Sequence, residues 1–236
     1  MAAMIADKLA QVQERIDAAC AAAGRPVQSV TLLVVTKTFP PPALREALAA
    51  GASRFGENYV QEAIDKMDAL SDAADRIEWH LIGPLQSNKT RLVAERFDWV
   101  HTIDRLRTAE RLSAQRPAHL PPLSCCLQVN VSGEASKSGF DPAEVPAAAA
   151  AVSALPRLRL RGLMAIPEPA ADFDAQRGPH RAMRQLFDAL RRQGLDLDTL
   201  SLGMSADLEA AIAEGATMVR VGSAIFGQRP EPAAGR

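Results

Sequence analysis

The chain has 236 residues, of which 47% are hydrophobic and 23% are charged, and its net charge at pH 7 is −1. This composition is ordinary for a globular protein, and the length suffices for one large domain or two small ones. The near-neutral charge, without any basic block, gives no electrostatic case for a nucleic-acid partner, and no apolar stretch is long enough to cross a bilayer.

The three cysteines give neither a disulfide framework nor a zinc-binding spacing. Two of them, Cys125 and Cys126, are adjacent in an apolar run, and the third is Cys20. Neighbouring residues of a strand point to opposite faces, so we expect small buried side chains. A reducing compartment, the cytoplasm, fits this use of cysteine.

The N-terminal segment has the pattern of an amphipathic helix rather than of a signal peptide, because apolar residues recur at spacings of three and four over residues 5–20. From residue 31 onwards, segments typical of buried strands alternate with segments typical of helices. The eight predicted strands are 31–36, 53–55, 78–82, 99–102, 123–131, 158–165, 199–202 and 217–221.

The predicted helices fall between these strands. The first follows a Pro40–Pro42 turn and ends at residue 50. The other six cover residues 59–70, 86–96, 104–114, 142–154, 180–193 and 206–213. Asp104 is predicted to cap the fourth of these helices, and residues 167–179 are predicted to be a polar loop.

Eight such units match a (β/α)8 TIM-type barrel with an extra N-terminal helix better than a doubly wound sheet. No Gly-x-Gly-x-x-Gly fingerprint of a dinucleotide-binding sheet is present. We predict a single barrel domain over residues 1–229 and a disordered C-terminal tail over residues 230–236.

Lys37 carries the strongest chemical implication. The chain has five lysines against 22 arginines, and Lys37 lies where the apolar first strand ends. The carboxyl ends of the strands form the active-site face of a TIM-type barrel. Desolvation there favours the neutral amine, which can form a Schiff base with an aldehyde. The alternative is a lysine that only marks the exit of the strand into solvent, and this segment alone does not separate the two.

Two glycine turns follow the seventh and eighth strands, where such barrels often bind phosphate. The first turn ends in Ser205, and the second begins with Gly222 and Ser223. Glycine allows the backbone to approach an oxyanion closely, and the hydroxyls can donate hydrogen bonds to it. Each turn alone is better explained as a glycine turn with a serine N-cap. Both together, opposite a strand-end lysine, favour phosphate and suggest pyridoxal 5′-phosphate as the cofactor.

Arg220 lies inside the apolar eighth strand and therefore needs a buried partner. Next to a pyridine nitrogen it would keep that nitrogen unprotonated, because a guanidinium group only donates. A structural ion pair with Glu57 or Glu209 is the alternative. Asn58, after the second strand, is predicted either to hydrogen-bond the cofactor or to cap the next helix. His80 is predicted to be an interior histidine whose hydrogen bonds are satisfied.

Two further lysines have open roles. Lys89 opens a predicted helix and is expected to be solvated. Lys137 lies in a polar loop on the active-site side, where it is either a surface lysine or a contact to arriving or departing cofactor. The four histidines and three cysteines have no metal-binding spacing.

Several long motifs carry a family resemblance. They occupy residues 35–38, 55–62, 79–89, 162–166, 200–205 and 219–227. The sequence resembles the pyridoxal phosphate homeostasis proteins, single-domain relatives of the N-terminal barrel of alanine racemase, over nearly its whole length. The resemblance implies the fold-type III barrel of pyridoxal phosphate proteins, in which Lys37 carries the cofactor as a Schiff base. It also implies phosphate contacts from Ser205, Gly222 and Ser223, and a place near the pyridine nitrogen for Arg220.

Members of that family bind the cofactor without established turnover and influence vitamin B6 balance. Alanine racemase adds a β domain and uses a tyrosine supplied across a dimer, and we expect this chain to leave no residues for that domain. Its only tyrosine is Tyr59. Racemisation takes two positioned proton-transfer groups, and the sequence supplies one, Lys37.

We therefore expect a monomeric carrier or buffer of pyridoxal 5′-phosphate, without turnover, that supplies apo-enzymes or salvage enzymes of vitamin B6. Its only small-molecule ligand on this hypothesis is the cofactor, and neither nucleic acid nor membrane is a partner. A racemase-like enzyme of unknown substrate is the second hypothesis. The third is a Schiff-base aldolase that acts on a phosphorylated sugar, which would also use a lysine and phosphate turns.

Overall fold

The computed structural model describes residues 2–133 and 138–227. Eight parallel strands pair in chain order and close into a barrel, because β1 also pairs with β8. The strands are β1 (Thr31–Val35), β2 (Arg54–Glu57), β3 (Glu78–Leu81), β4 (Trp99–Ile103), β5 (Leu123–Gln128), β6 (Leu158–Met164), β7 (Thr199–Ser201) and β8 (Met218–Val221). The predicted TIM-type barrel and its eight strands are confirmed.

Helices cover the outside of the barrel. They are α1 (Ala2–Ala22), α2 (Pro41–Ala49), α3 (Val60–Ala69), α4 (Thr90–Arg96), α5 (Leu106–Gln115), α6 (Val145–Ser153), α7 (Phe173–Arg192), α8 (Leu208–Ala213) and α9 (Ser223–Phe226). Two 3₁₀ segments lie at Ser71–Arg76, which is kinked at Ala73, and at Ser87–Lys89. Helix α1 is the predicted extra N-terminal helix, and it packs against α2, α8 and α9. Within the two described ranges, no helix is both long and apolar enough to span a membrane.

Two predicted helix starts are wrong. The predicted loop over residues 167–179 is too long, because α7 begins at Phe173 and contains Pro179 in its interior. Asp172 caps this helix by accepting a hydrogen bond from the Ala175 amide at 2.8 Å. Asp104 does not cap α5, whose N-cap residue is Arg105, because the Asp104 carboxylate accepts from the Arg105 side chain instead.

The main hydrophobic core lies between the sheet and the surrounding helices, and separate small clusters fill the barrel interior. Cys125 belongs to the main core, whereas Cys126 packs inside the barrel with Trp99 and Met164. All three cysteines are free and buried, as predicted, and the two neighbours do face opposite sides of the strand. Between them a register irregularity interrupts the pairing of β5 with β6.

Candidate functional site

One cavity at the carboxyl ends of the strands brings together five of the six predicted site residues. It has a volume of about 340 Å³ and is lined by segments that follow β1, β7 and β8. The predicted residues that line it are Lys37, Ser205, Arg220, Gly222 and Ser223. The cavity lies on the face where TIM-type barrels bind their ligands, and its volume falls within the roughly 300–1,000 Å³ typical of small-molecule sites.

The loops after β7 and β8 bring two hydroxyl groups together at this cavity. The Oγ atoms of Ser205 and Ser223 lie 3.2 Å apart. The backbone at Ser205 is fixed from α1, because its carbonyl oxygen accepts a hydrogen bond from Arg15 at 3.2 Å. The turn is closed by Asp207, whose carboxylate accepts from the amide of Met204 at 2.7 Å. Two neighbouring hydroxyls held in this way can donate to the oxygens of one phosphate group.

Gly222 is needed because two segments of backbone approach each other closely. A Cβ atom at this position would lie 2.8 Å from the carbonyl oxygen of Val35. Its φ of −129° is open to any residue, so lack of space rather than backbone conformation selects glycine. Just beyond this contact, the rings of Phe39 and Phe226 stack with centroids 4.6 Å apart. The segments that carry Lys37 and Ser223 are therefore fixed against each other.

Arg220 lies on β8 with its side chain in the barrel interior, and it also lines the cavity. One terminal nitrogen, Nη1, donates to the carbonyl oxygen of Ser201 at 2.6 Å and to its Oγ at 2.8 Å. The other, Nη2, donates to the carbonyl oxygen of Ala165 at 2.9 Å. Burial lowers the pKa of Arg220 to about 10, so the guanidinium group stays charged at neutral pH. These bonds use three of its five N–H groups, and no hydrogen bond of the other two is seen among the described residues.

The ion pairs considered for Arg220 are not formed. Glu57 pairs with Lys66 at 2.7 Å, and Glu209 pairs with Arg15 at 2.8 Å. The buried partners that Arg220 requires are instead carbonyl and hydroxyl oxygens. The ion pairs with Glu57 and Glu209 are therefore ruled out. Neutral oxygens accept the hydrogen bonds of the guanidinium group described above, and the Asp207 carboxylate adds a favourable charge from a greater distance.

A chain of buried hydrogen bonds runs from Arg220 through the barrel interior to Glu78. The Ser201 hydroxyl lies 3.0 Å from His101 Nδ1, and His101 Nε2 lies 2.9 Å from His80 Nδ1. His80 Nε2 is in turn 2.9 Å from the Glu78 carboxylate. The predicted satisfied interior histidine at position 80 is confirmed.

The charge on Glu78 fixes the direction of this chain. The hydrogen bond from His80 lowers the pKa of Glu78 to about 2, so its carboxylate only accepts. Burial lowers the pKa of both His80 and His101, which keeps both rings neutral. His80 must then donate from Nε2 and accept at Nδ1, His101 must donate from Nε2, and the Ser201 hydroxyl must donate to His101 Nδ1. Every donor therefore points from Arg220 towards Glu78.

Lys37 lies two residues after the end of β1, and its side chain is half-buried at the edge of the cavity. The next residue, Thr38, has a φ of +68°, in the left-handed region that residues other than glycine rarely adopt. The Lys66 side chain on α3 contacts this turn by donating to the carbonyl oxygen of Thr36 at 2.7 Å. Nothing in the sequence indicates this contact, because a lysine in a helix is ordinarily solvated.

Asn58 does not line the cavity that contains Lys37. It borders a second cavity of about 240 Å³, which is formed by segments after β2 to β6. Its suggested role as a helix cap is wrong, because the N-cap residue of α3 is Tyr59 and no side chain caps that helix. Tyr59 itself is 58% exposed. Lys89 lies in a one-turn helix after β3, and Lys137 lies outside the described residues.

The fold is that of the alanine racemase class of barrels. Residues 8–230 match the family described as the N-terminal domain of alanine racemase. The alanine racemase of Clostridium difficile shares the fold alone, with a TM-score of 0.72 at 13% identity over 86% of this chain and 53% of that one. The class is defined by the barrel, and the chain spans about half of the racemase.

Much closer relatives exist within this class. The chain is 60% identical over 225 residues to the pyridoxal phosphate homeostasis protein of Pseudomonas aeruginosa, which covers 95% of this chain and 96% of that protein. PipY of Synechococcus elongatus, solved with PLP bound, superposes with a TM-score of 0.82 at 38% identity, over 94% of this chain and 100% of that one. The chain belongs to the family of pyridoxal phosphate homeostasis proteins, as its motifs predicted.

Proposed function

We propose that this protein binds pyridoxal 5′-phosphate as a Schiff base on Lys37 and serves vitamin B6 homeostasis as a carrier or buffer without turnover. The observation that carries this proposal is the single cavity shared by Lys37, the Ser205–Ser223 hydroxyl pair and Arg220. The Lys37 amine suits the aldehyde of the ligand, the hydroxyl pair suits its phosphate, and Arg220 suits its pyridine nitrogen. The relative solved with PLP bound supports the same ligand.

The fit can be stated group by group. The Lys37 amine would attack the aldehyde carbon, and water would leave as the C=N bond forms, so the linkage is reversible by hydrolysis. Ser205 and Ser223 would donate to phosphate oxygens, and Gly222 lets the turn that carries Ser223 pack closely against the Val35 carbonyl of β1. Arg220 would donate to the ring nitrogen and keep it unprotonated, which weakens the ring as an electron sink. Asn58 remains a predicted contact, from the neighbouring cavity.

A carrier is favoured over a racemase by what surrounds Lys37. Among the described residues that line its cavity, the ionisable ones are Lys37 and Arg220. Arg220 stays protonated and cannot serve as a base at neutral pH. Tyr59, the only tyrosine of the chain, is an exposed residue outside the lining of this cavity. A second proton-transfer group on the opposite face of a substrate is therefore missing from these residues.

One experiment tests the proposal against the racemase. The purified protein is loaded with pyridoxal 5′-phosphate, freed of excess ligand, and followed by its visible absorption band. We expect the band to decay when an apo-aminotransferase is added, with recovery of that enzyme's activity, and no interconversion of amino-acid enantiomers by chiral chromatography. Enzyme-like racemisation that disappears in Lys37→Ala would contradict the carrier and support the racemase. A protein that shows no band would contradict cofactor binding and favour the aldolase.

The recipients that we propose are apo-enzymes that use the cofactor or salvage enzymes of vitamin B6. The cytoplasm is the proposed compartment, and the three free, buried cysteines are compatible with it. Direct transfer predicts that the rate of apo-enzyme activation rises with apo-enzyme concentration. Release into solvent followed by capture predicts a rate that reaches a limit at the dissociation rate of the cofactor.

A further inference from the structure

A buried cluster of charged residues lies directly behind the turn that carries Lys37. The Lys66 Nζ atom on α3 donates to Glu57 Oε1 at 2.7 Å and to Glu62 Oε1 at 2.6 Å. The Lys66 side chain is 4% exposed and that of Glu57 is fully enclosed, whereas that of Glu62 is 28% exposed. We call Glu57, Glu62 and Lys66 the lysine clamp, because the cluster also hydrogen-bonds the backbone next to Lys37.

The clamp holds the backbone on both sides of Lys37. On the N-terminal side, the carbonyl oxygen of Thr36 accepts a hydrogen bond from Lys66 Nζ at 2.7 Å. On the C-terminal side, the amide of Thr38 donates to Glu62 Oε1 at 2.5 Å. These two groups belong to the two peptide bonds that join Lys37 to the chain. Its backbone is therefore fixed at both ends by one cluster.

Two other features show that this turn is under constraint. The Thr36 hydroxyl donates to Glu57 at 2.6 Å, so Thr36 is bound through its side chain as well as its backbone. Thr38 has a φ of +68°, and a left-handed conformation at a β-branched residue persists only where its surroundings enforce it. The hydrogen bond from the Thr38 amide to Glu62 helps to hold Thr38 in this conformation.

Stability alone does not account for the clamp. A buried ion pair costs desolvation that apolar side chains would avoid, and burial raises the pKa of Glu57. The second oxygen of Glu57 is also buried without a hydrogen-bond partner among the described residues. An arrangement with such costs is better explained by the geometry that it imposes.

We propose that Glu57, Glu62 and Lys66 are positioning residues that fix the backbone of Lys37, so that its amine meets the aldehyde in a reactive geometry. The inference rests on the proposed function and deepens it. Glu62 is the member that can be tested alone, because it holds the Thr38 amide while Glu57, Lys66 and Thr36 keep their mutual hydrogen bonds. Its partial exposure also makes its replacement the mildest for folding.

The test compares Glu62→Ala with Asp65→Ala, a matched control on the same helix, where the exposed Asp65 carboxylate accepts from Gln61. Two quantities are measured for each variant. The first is the rate at which the visible band forms after mixing with pyridoxal 5′-phosphate. The second is the dissociation constant of 4-deoxypyridoxine 5′-phosphate, which has the ring and phosphate but lacks the aldehyde.

We expect Glu62→Ala to slow band formation about tenfold or more, because small displacements of a reacting group carry large rate penalties. Its affinity for the deoxy compound should equal that of the parent protein, and Asp65→Ala should match the parent in both quantities. Glu62→Gln keeps an oxygen acceptor for the Thr38 amide and should restore most of the rate.

Band formation at the parent rate in Glu62→Ala would overturn the inference. So would an equal loss of rate and of affinity for the deoxy compound, since that would indicate a general structural defect. A parent protein that binds the deoxy compound but forms no band with pyridoxal 5′-phosphate would contradict the Schiff base of the proposed function itself. The two failures are therefore distinguishable.

Discussion

At the level of single side chains, the buried guanidinium group of Arg220 is important to the proposed cofactor cavity. Hydrogen bonds to residues of the barrel interior fix its orientation. Both N–H groups of Arg220 Nη1 are bound to Ser201, and Ala165 takes one from Nη2. Hydrogen bonds to a charged group in a low-dielectric interior are stronger than those between neutral groups. Ser201 thus joins Arg220, which lines the cavity, to the hydrogen-bond chain of the barrel interior.

Replacing Ser201 with alanine should disturb both ends of this link. Arg220 loses an acceptor, and His101 Nδ1 is left buried without its donor, so we expect the protein to lose about 1–3 kcal/mol of unfolding free energy. The affinity for pyridoxal 5′-phosphate should fall as well. Urea unfolding and titration of the visible band measure the two effects. Ser124→Ala on β5 is the control, and equal effects in both variants would contradict a specific role for Ser201.

The Glu78–His80 hydrogen bond gives the stability of the protein a defined dependence on acidity. The pKa of Glu78 falls from 4.5 to about 2 on folding, so the folded state favours the ionised carboxylate. This contribution is fully present above about pH 4.5 and is lost as the pH falls towards about 2.

Glu78→Gln should therefore flatten the acid limb of the stability profile. Between pH 5 and pH 3, the urea midpoint of the parent should drop more steeply than that of the variant. Glu110→Gln, at an exposed carboxylate on α5, should retain the parent slope. Identical slopes for the parent and Glu78→Gln would show that this carboxylate is not ionised preferentially in the folded state.

At the level of secondary structure, α7 begins with an aspartate cap and continues through a proline. The helix begins at Phe173 although Pro179 lies six residues later, where it removes one backbone donor. At the start of the helix, the Asp172 carboxylate accepts a hydrogen bond from the Ala175 amide at 2.8 Å. An aspartate in this position is a strong N-cap.

Asp172→Ala should lower the unfolding free energy by about 1 kcal/mol, because the first turn of α7 loses its cap. Asp196→Ala is a suitable control, since Asp196 is 95% exposed and its carboxylate lies 3.8 Å from Arg159. Urea unfolding with far-ultraviolet circular dichroism measures both. A loss in Asp172→Ala no larger than in the control would contradict the assigned start of the helix.

Sequence patterns predicted the order of the elements, because apolar periodicity within a strand or helix is a local property. They failed at Asp104 and Pro179, where a competing side-chain contact and a distant cap decide the boundary. They also missed His101 and Ser201, which are 100 positions apart and meet only when the barrel closes. Lys37, Ser205 and Ser223 were predicted to lie together because the strand ends of a barrel share one face, and they do line one cavity.

At the level of the whole molecule, one chain supplies the walls of the cavity that contains Lys37. The five residues of this cavity that we propose to bind the ligand all belong to one chain, and we predict a monomer. Sedimentation equilibrium at micromolar concentration should give the mass of one chain, both with and without pyridoxal 5′-phosphate. A dimer whose formation depends on the cofactor would contradict this prediction and reopen the racemase hypothesis.

The measurement that tests the account most directly is borohydride reduction of the protein loaded with pyridoxal 5′-phosphate, followed by peptide mass spectrometry. Reduction converts a Schiff base into a stable secondary amine. The account predicts loss of the visible band and a phosphopyridoxyl group on Lys37, with no adduct on the other four lysines. Lys89→Ala should behave as the parent and Lys37→Ala should remain unmodified. An adduct on another lysine, or none at all, would contradict the assignment of Lys37 as the anchor.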